Sequence, residues 1–146
     1  MAAVTAEVPD DAELWVAVTA KFPPAFSTSL AFPEIALAPG EFRVVQAAFH
    51  GHYFRGETIA AAEDARTAAA STGVRIVEVW VGTKPQVVKV SGAGWSATEA
   101  LTPRKYDTCA PGEDVTLWLR NDSTRPVRWR GRIEGQAVKV DAEEPK

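Results

Sequence analysis

Val115-Thr116-Leu117-Trp118-Leu119-Arg120-Asn121-Asp122-Ser123-Thr124-Arg125-Pro126-Val127-Arg128-Trp129-Arg130-Gly131-Arg132-Ile133 is the stretch whose reading decides the fold. Val115, Leu117 and Leu119 alternate with Thr116, Trp118 and Arg120, the period of a strand with one buried face. Residues 121–126 then collect Asn, Asp, Ser, Thr and Pro, which satisfy turn backbones with their own side chains or preset φ. After the turn, Val127, Trp129 and Ile133 alternate with Arg128, Arg130 and Arg132. Two strands joined by a short loop are expected to pair antiparallel, and this pair is the nucleus of an all-β reading.

The pattern extends in both directions. Val77, Val79 and Val81 line one side of a strand, residues 82–85 make a turn, and Val88 and Val90 sit on the expected return strand. Phe42 to Phe54 reads as one long extended segment. Leu14 to Ala20 alternates Leu14, Val16 and Val18 against Trp15, Ala17 and Thr19, and Phe26 to Phe32 forms a shorter strand between prolines. Ten Pro and ten Gly are spread evenly along the 146 residues. That spacing fits an antiparallel β-sandwich, jelly-roll-like, in one domain. The composition agrees: 17 Val and 25 Ala stand against only 6 Leu and 4 Ile, which excludes a leucine-built helical bundle.

One segment breaks the β pattern. Seven alanines fall between Glu57 and Thr72, ahead of Gly73, so a short Ala-rich helix or helical loop is expected near 58–72. Ser96-Ala97-Thr98-Glu99 has the form of a capping box, with Pro103 limiting any helix to one or two turns. Residues 1–12 and 141–146 read as flexible acidic arms around a domain at 13–140. An internal echo is also present. Ala38-Pro39-Gly40-Glu41 precedes the strand at Phe42, and Ala110-Pro111-Gly112-Glu113 precedes the strand at Val115, 72 residues later. Two similar halves of a sandwich would produce it, and so would chance reuse of a common turn.

Candidate chemistry is thin. His50-Gly51-His52 would put two imidazoles on one strand face, but these are the chain's only histidines and zinc normally takes three or four protein ligands. Blue-copper ligation needs a Cys, two His and an axial ligand close after the Cys, whereas the single Met is Met1. Gly92-Ala93-Gly94-Trp95-Ser96-Ala97 matches G-x-G-x-x-A, yet lacks the long following helix and the parallel βαβ unit of a dinucleotide site. No metal and no cofactor are expected. Asn121-Asp122-Ser123 is a formal glycosylation acceptor that reads better as a turn. Cys109, the only cysteine, allows no intramolecular disulfide and has no histidine or cation beside it in sequence to activate the thiol. No acid, base and nucleophile set can be named, so the chain is expected not to be an enzyme.

Charge and aromatic content point toward contacts. The net charge is −3, with pI about 5.4, yet residues 120–134 carry five arginines, Arg120, Arg125, Arg128, Arg130 and Arg132, against Asp122 and Glu134. Arg128, Arg130 and Arg132 would form a ladder with steps of about 7 Å on one face. Three partners could answer it: carboxylates of neighbouring strands such as Glu78, the acidic arms Glu7 to Glu13 or Asp141 to Glu144 of another copy, or nucleic acid. The acidic pI and the absence of a reader motif disfavour the last. Five Trp is high for this length, and Trp80 and Trp118 fall opposite the Val and Leu rows of their strands, which marks interfaces or stacking platforms.

The expectation is therefore a non-enzymatic assembly subunit such as a capsid, capsid-decoration or other virion component, contacting itself or other particle subunits through Arg120, Arg125, Arg128, Arg130, Arg132, Trp80 and Trp118. The alternative is a carbohydrate- or peptide-binding module using exposed aromatics. No stretch of about 18 apolar residues exists, so no membrane span is expected. Residues 1–11 lack a basic segment followed by an apolar one, so no secretory signal is expected, and the location would be virion or cytoplasm.

Overall fold

The computed structural model describes residues 11–22, 24–63, 73–86 and 94–140. They form helix α1 (Asp11–Lys21), strands β1 (Phe26–Ala31), β2 (Ile35–Leu37), β3 (Phe42–Ala47), β4 (His52–Glu63), β5 (Val74–Val81) and β6 (Lys84–Gln86), the single turn α2 (Ala97–Ala100), and strands β7 (Thr108–Cys109), β8 (Val115–Asn121) and β9 (Val127–Lys139). Two antiparallel sheets face each other. Sheet A runs β1-β9-β4-β7, with β2 also on β9, and sheet B runs β3-β8-β5-β6. The all-β sandwich read from the alternation is what the chain builds.

The core lies between the sheets. β8 contributes Val115, Leu117 and Leu119, β5 contributes Ile76, Val79 and Val81, and the opposite layer supplies Phe54, Ile59, Trp129 and Ile133, all of them at most 1% exposed. Burying each such side chain is worth roughly 1.5–3 kcal/mol. Residues 131–135 meet β4 across an irregular step between Gly56 and Thr58. A Cβ on Gly135 would sit on the Arg55 carbonyl oxygen, so only glycine lets the backbones close there.

The 72-residue echo is structural. Each Pro-Gly turn places its glycine at positive φ, +77° for Gly40 and +81° for Gly112, as the third position of a type II turn requires. Glu41 N–H donates to the Ala38 carbonyl at 3.0 Å, and Glu113 N–H to that of Ala110 at 2.9 Å. Each glutamate carboxylate also accepts from the alanine N–H of its own turn, at 2.7 Å and 3.0 Å. The strands that follow, β3 and β8, pair with Val45 opposite Leu117. In the other sheet Ala60 lies opposite Arg132. Both are pairs 72 residues apart. The same shift carries β2 on β9 to within one residue of β7 on β4, so the strand pairings of residues 35–63 and 107–135 follow an approximate two-fold pattern.

Several expectations are corrected. Residues 115–133 hold both expected strands, but β8 lies in sheet B and β9 in sheet A, so the loop at 121–126 crosses between layers instead of closing a hairpin. Phe42 to Phe54 is two strands, one in each sheet, with 48–51 as the crossing. Leu14 to Ala20 belongs to helix α1, which starts inside the segment read as an arm. Its half-buried Trp15, buried Val18 and half-buried Phe22 fall at helical spacing, and Phe22 stacks on Tyr53 with centroids 6.5 Å apart. Val77 sits at a register shift between Ile76 and Glu78 and leaves the inward row.

The Ala-rich helix is also overturned over 58–63, where β4 continues; 64–72 lie outside the described residues, as do the acidic segments 1–10 and 141–146 and the valines at 88 and 90. Alanine's helix preference of at most about 0.7 kcal/mol per residue over ordinary residues is outweighed by an unbroken ladder to the long strand β9. The capping box, by contrast, forms as expected: Ser96 N–H donates to Glu99 Oε1 at 2.9 Å, and Glu99 N–H to Ser96 Oγ at 3.2 Å.

Candidate interaction surfaces

The outward face of sheet B is built by three strands in register. β3, β8 and β5 place Val44, Trp118 and Glu78 in one cross-strand row, Phe42 and Arg120 in the row on one side of it, and Gln46, Thr116 and Trp80 in the row on the other. Phe42 is 53% exposed, Val44 41% and Trp118 39%. Three large apolar side chains therefore form a contiguous strip on a solvated face, which a lone chain gains nothing by presenting. The Arg120 guanidinium lies 5.9 Å from the Phe42 ring centroid and bonds both carboxylate oxygens of Asp122, at 2.5 and 2.9 Å. That contact holds the Asp122 carboxyl below its ordinary range. Trp80 is half-buried, and its indole N–H donates to Glu78 at 2.9 Å.

The outward face of sheet A carries the arginine ladder. Arg128, Arg130 and Arg132 point away from the core while Val127, Trp129 and Ile133 point into it. Two rungs are answered within the chain: Arg128 by Glu34 at 3.6 Å and Arg132 by Glu134 at 2.6 Å. Exposed pairs of this kind are worth only about 0–1 kcal/mol. Glu78, offered from sequence as the neutralising group, is in the other sheet. Arg130 makes no ion pair among the described residues and stands across β4 from Ala62. Beside it, Ala60, Ala61 and Ala62 floor an open groove of about 370 Å³ with Phe32 and Glu34 on its wall. The small side chains that suggested a helix instead leave room beneath the long arginines.

The expected interface residues thus divide between two opposite faces. Arg120, Trp80 and Trp118 share sheet B, Arg128, Arg130 and Arg132 share sheet A, and Arg125 stands in the loop between the two strands. Phe42 and Val44 were missed. Their signal was present, because Phe42, Val44 and Gln46 alternate on a strand free of Pro and Lys, but a single long strand over 42–54 hid which face they take.

His50 is exposed in the 48–51 crossing, while His52 is on β4 with Phe49 and Phe26 rings 5.3 and 5.7 Å away. Among the described residues no group of three or more His, Cys, Asp or Glu could hold a metal. Residues 92 and 93 of the Gly-rich match lie outside those described, but Gly94 and Trp95 run beside Ile76 as an isolated β-bridge.

Asn121 is fully buried: its Nδ2 donates to the Leu37 and Arg125 carbonyls at 3.1 and 3.0 Å, and its Oδ1 accepts from Ser123 N–H and Oγ at 2.9 and 2.7 Å. A glycan could not be attached there in the folded chain. Cys109 is buried, its thiol donating to the Glu113 carbonyl at 3.0 Å. Burial, reinforced by the Glu113 and Asp114 charges, pushes that thiol up to about 12. No described helix is long and apolar enough to cross a membrane. No family model, curated protein or solved structure matches this chain.

Proposed function

We propose that this protein is a non-enzymatic, jelly-roll-like sandwich subunit of a larger assembly, of the capsid or capsid-decoration class, whose chief contact is the outward face of sheet B. The single observation that carries the reading is the exposed strip Phe42, Val44 and Trp118, because burying apolar strips is the main driving force of association. The ladder of sheet A is a second, weaker contact. With Arg128 and Arg132 already paired it offers Arg130 and a groove, which suits recognition of an acidic segment more than strong adhesion.

Light scattering of the full chain from micromolar to millimolar concentration tests the reading. A mass that rises above the monomer, and falls back when Trp118→Lys is introduced, is expected. A monomer throughout, at low and high salt, would refute it. Saturable quenching of tryptophan fluorescence by oligosaccharides, lost in Trp118→Ala, would assign the strip to a ligand platform instead.

A further inference from the structure

The two sheets have four outer edges, and three of them are blunted. On sheet A, the β1/β2 edge is split by Pro33, and β7 has two residues. On sheet B, β6 has three residues and contains Pro85. Such devices keep a sheet from recruiting another strand. The fourth edge, β3, is guarded only by Arg43, a charge on the core side of the strand that reaches the Ala36 carbonyl: its six residues, Phe-Arg-Val-Val-Gln-Ala, pair with β8 without a register shift and include neither Pro nor Lys. The internal two-fold singles out the same place. That pattern exchanges β3 and β8, and β8 carries β5 on its far side. The equivalent position beside β3 holds no strand among the described residues. That position lies next to the apolar strip.

We propose that the β3 edge is the seam of a homodimer, in which two copies pair β3 antiparallel about a two-fold axis at Val44 and join their four-stranded sheets into one of eight. The inference rests on the assembly reading and adds to its face contact a backbone contact along the edge of the same sheet. A second copy suits the edge for three reasons. Pairing about Val44 sets the five residues Phe42 to Gln46 against one another, Phe42 against Gln46 and Arg43 against Val45 of the other copy. It joins the two apolar strips, with Val44 facing its own copy and Trp118 flanking it on each side. The charges also permit it: Arg43 is met at 3.6 Å by Glu41 of the turn that leads into its strand, so each edge arrives neutral, and this register never sets Arg43 directly opposite itself. A two-fold contact of this kind is closed, removing both open edges at once.

Two variants of the full chain test the seam. Val44 is exposed, so Val44→Lys is expected to keep the circular dichroism and melting temperature while setting two like charges face to face at the axis. Sedimentation equilibrium should then show at least about a tenfold loss of dimer affinity. Val44→Cys should be captured by a short bifunctional thiol crosslinker, whereas Gln46→Cys, whose copies would lie about 14 Å apart in this register, should not. The buried Cys109 leaves the reading clean. If the wild-type chain stays monomeric, both the seam and the assembly reading fall. If it associates but Val44→Lys is unaffected and Val44→Cys crosslinks no faster than Gln46→Cys, the seam alone falls. Protection of β3 amides that does not change with protein concentration would place a different strand on this edge, and would also overturn the proposal.

Discussion

Asn121 does more for this fold than its turn-forming type suggests. Its amide ties the end of β8 to the Leu37 carbonyl at the end of β2 and to both sides of the following loop. Asn121→Ala would leave buried carbonyl and amide groups unpaired, at a cost of about 2–4 kcal/mol, measurable by urea denaturation. The sequence showed a turn residue here; it could not show burial, because both partner carbonyls belong to backbone whose position depends on which sheet each strand joins.

Cys109 gives a pH test at the same scale. Its folded value of about 12 lies above the ordinary thiol value of 9.0, so folding disfavours the thiolate. The associated stability is fully present below pH 9 and is lost as pH rises from 9 toward 12. Alkylation at neutral pH should accordingly be slow in the native chain and fast in denaturant, and equal rates in the two states would contradict the burial.

At the scale of elements, strands were legible where bulky apolar residues alternate on a buried face. β1, β5, β8 and β9 all carry alternation that the core then uses. The two misread segments failed for opposite reasons. α1 alternates by accident, because only Val18 of that stretch is buried and its contacts follow helical spacing. Residues 58–63 have helical composition but are captured by pairing that local preference cannot outweigh. Pairing partners were the other blind spot: a short loop between alternating strands suits a hairpin and a crossing between sheets equally well.

The two Pro-Gly turns offer a matched experiment at this scale. Nothing lies within 4 Å of a Cβ built on Gly40 or Gly112, so the cost of alanine at either site is that of positive φ alone. Gly40→Ala and Gly112→Ala should each destabilise by about 1–2 kcal/mol, with similar values. Costs that differ severalfold would show that the two turns are not equivalent. The capping box adds a smaller effect, since Ser96→Ala should cost about 1 kcal/mol in thermal unfolding.

At the scale of the whole molecule, a near-neutral chain resolves into two unlike faces. The arginine cluster that dominated the sequence splits between the sheets, with Arg120, Arg128 and Arg132 paired within the chain. The apolar strip on sheet B was visible beforehand only through Trp118. Association driven by that strip should change little between low and high salt, whereas association through the ladder of sheet A should weaken as salt screens Arg130. Scattering measured across ionic strength separates the two.

The most direct test of the central claim, that sheet B is the contact face, is amide hydrogen exchange of the full chain compared at low and high protein concentration. Protection that increases with concentration in β3, centred on Val44, while β9 and β1 stay unchanged, is the result expected. Protection that instead grows along β9, or that shows no concentration dependence anywhere, would contradict it.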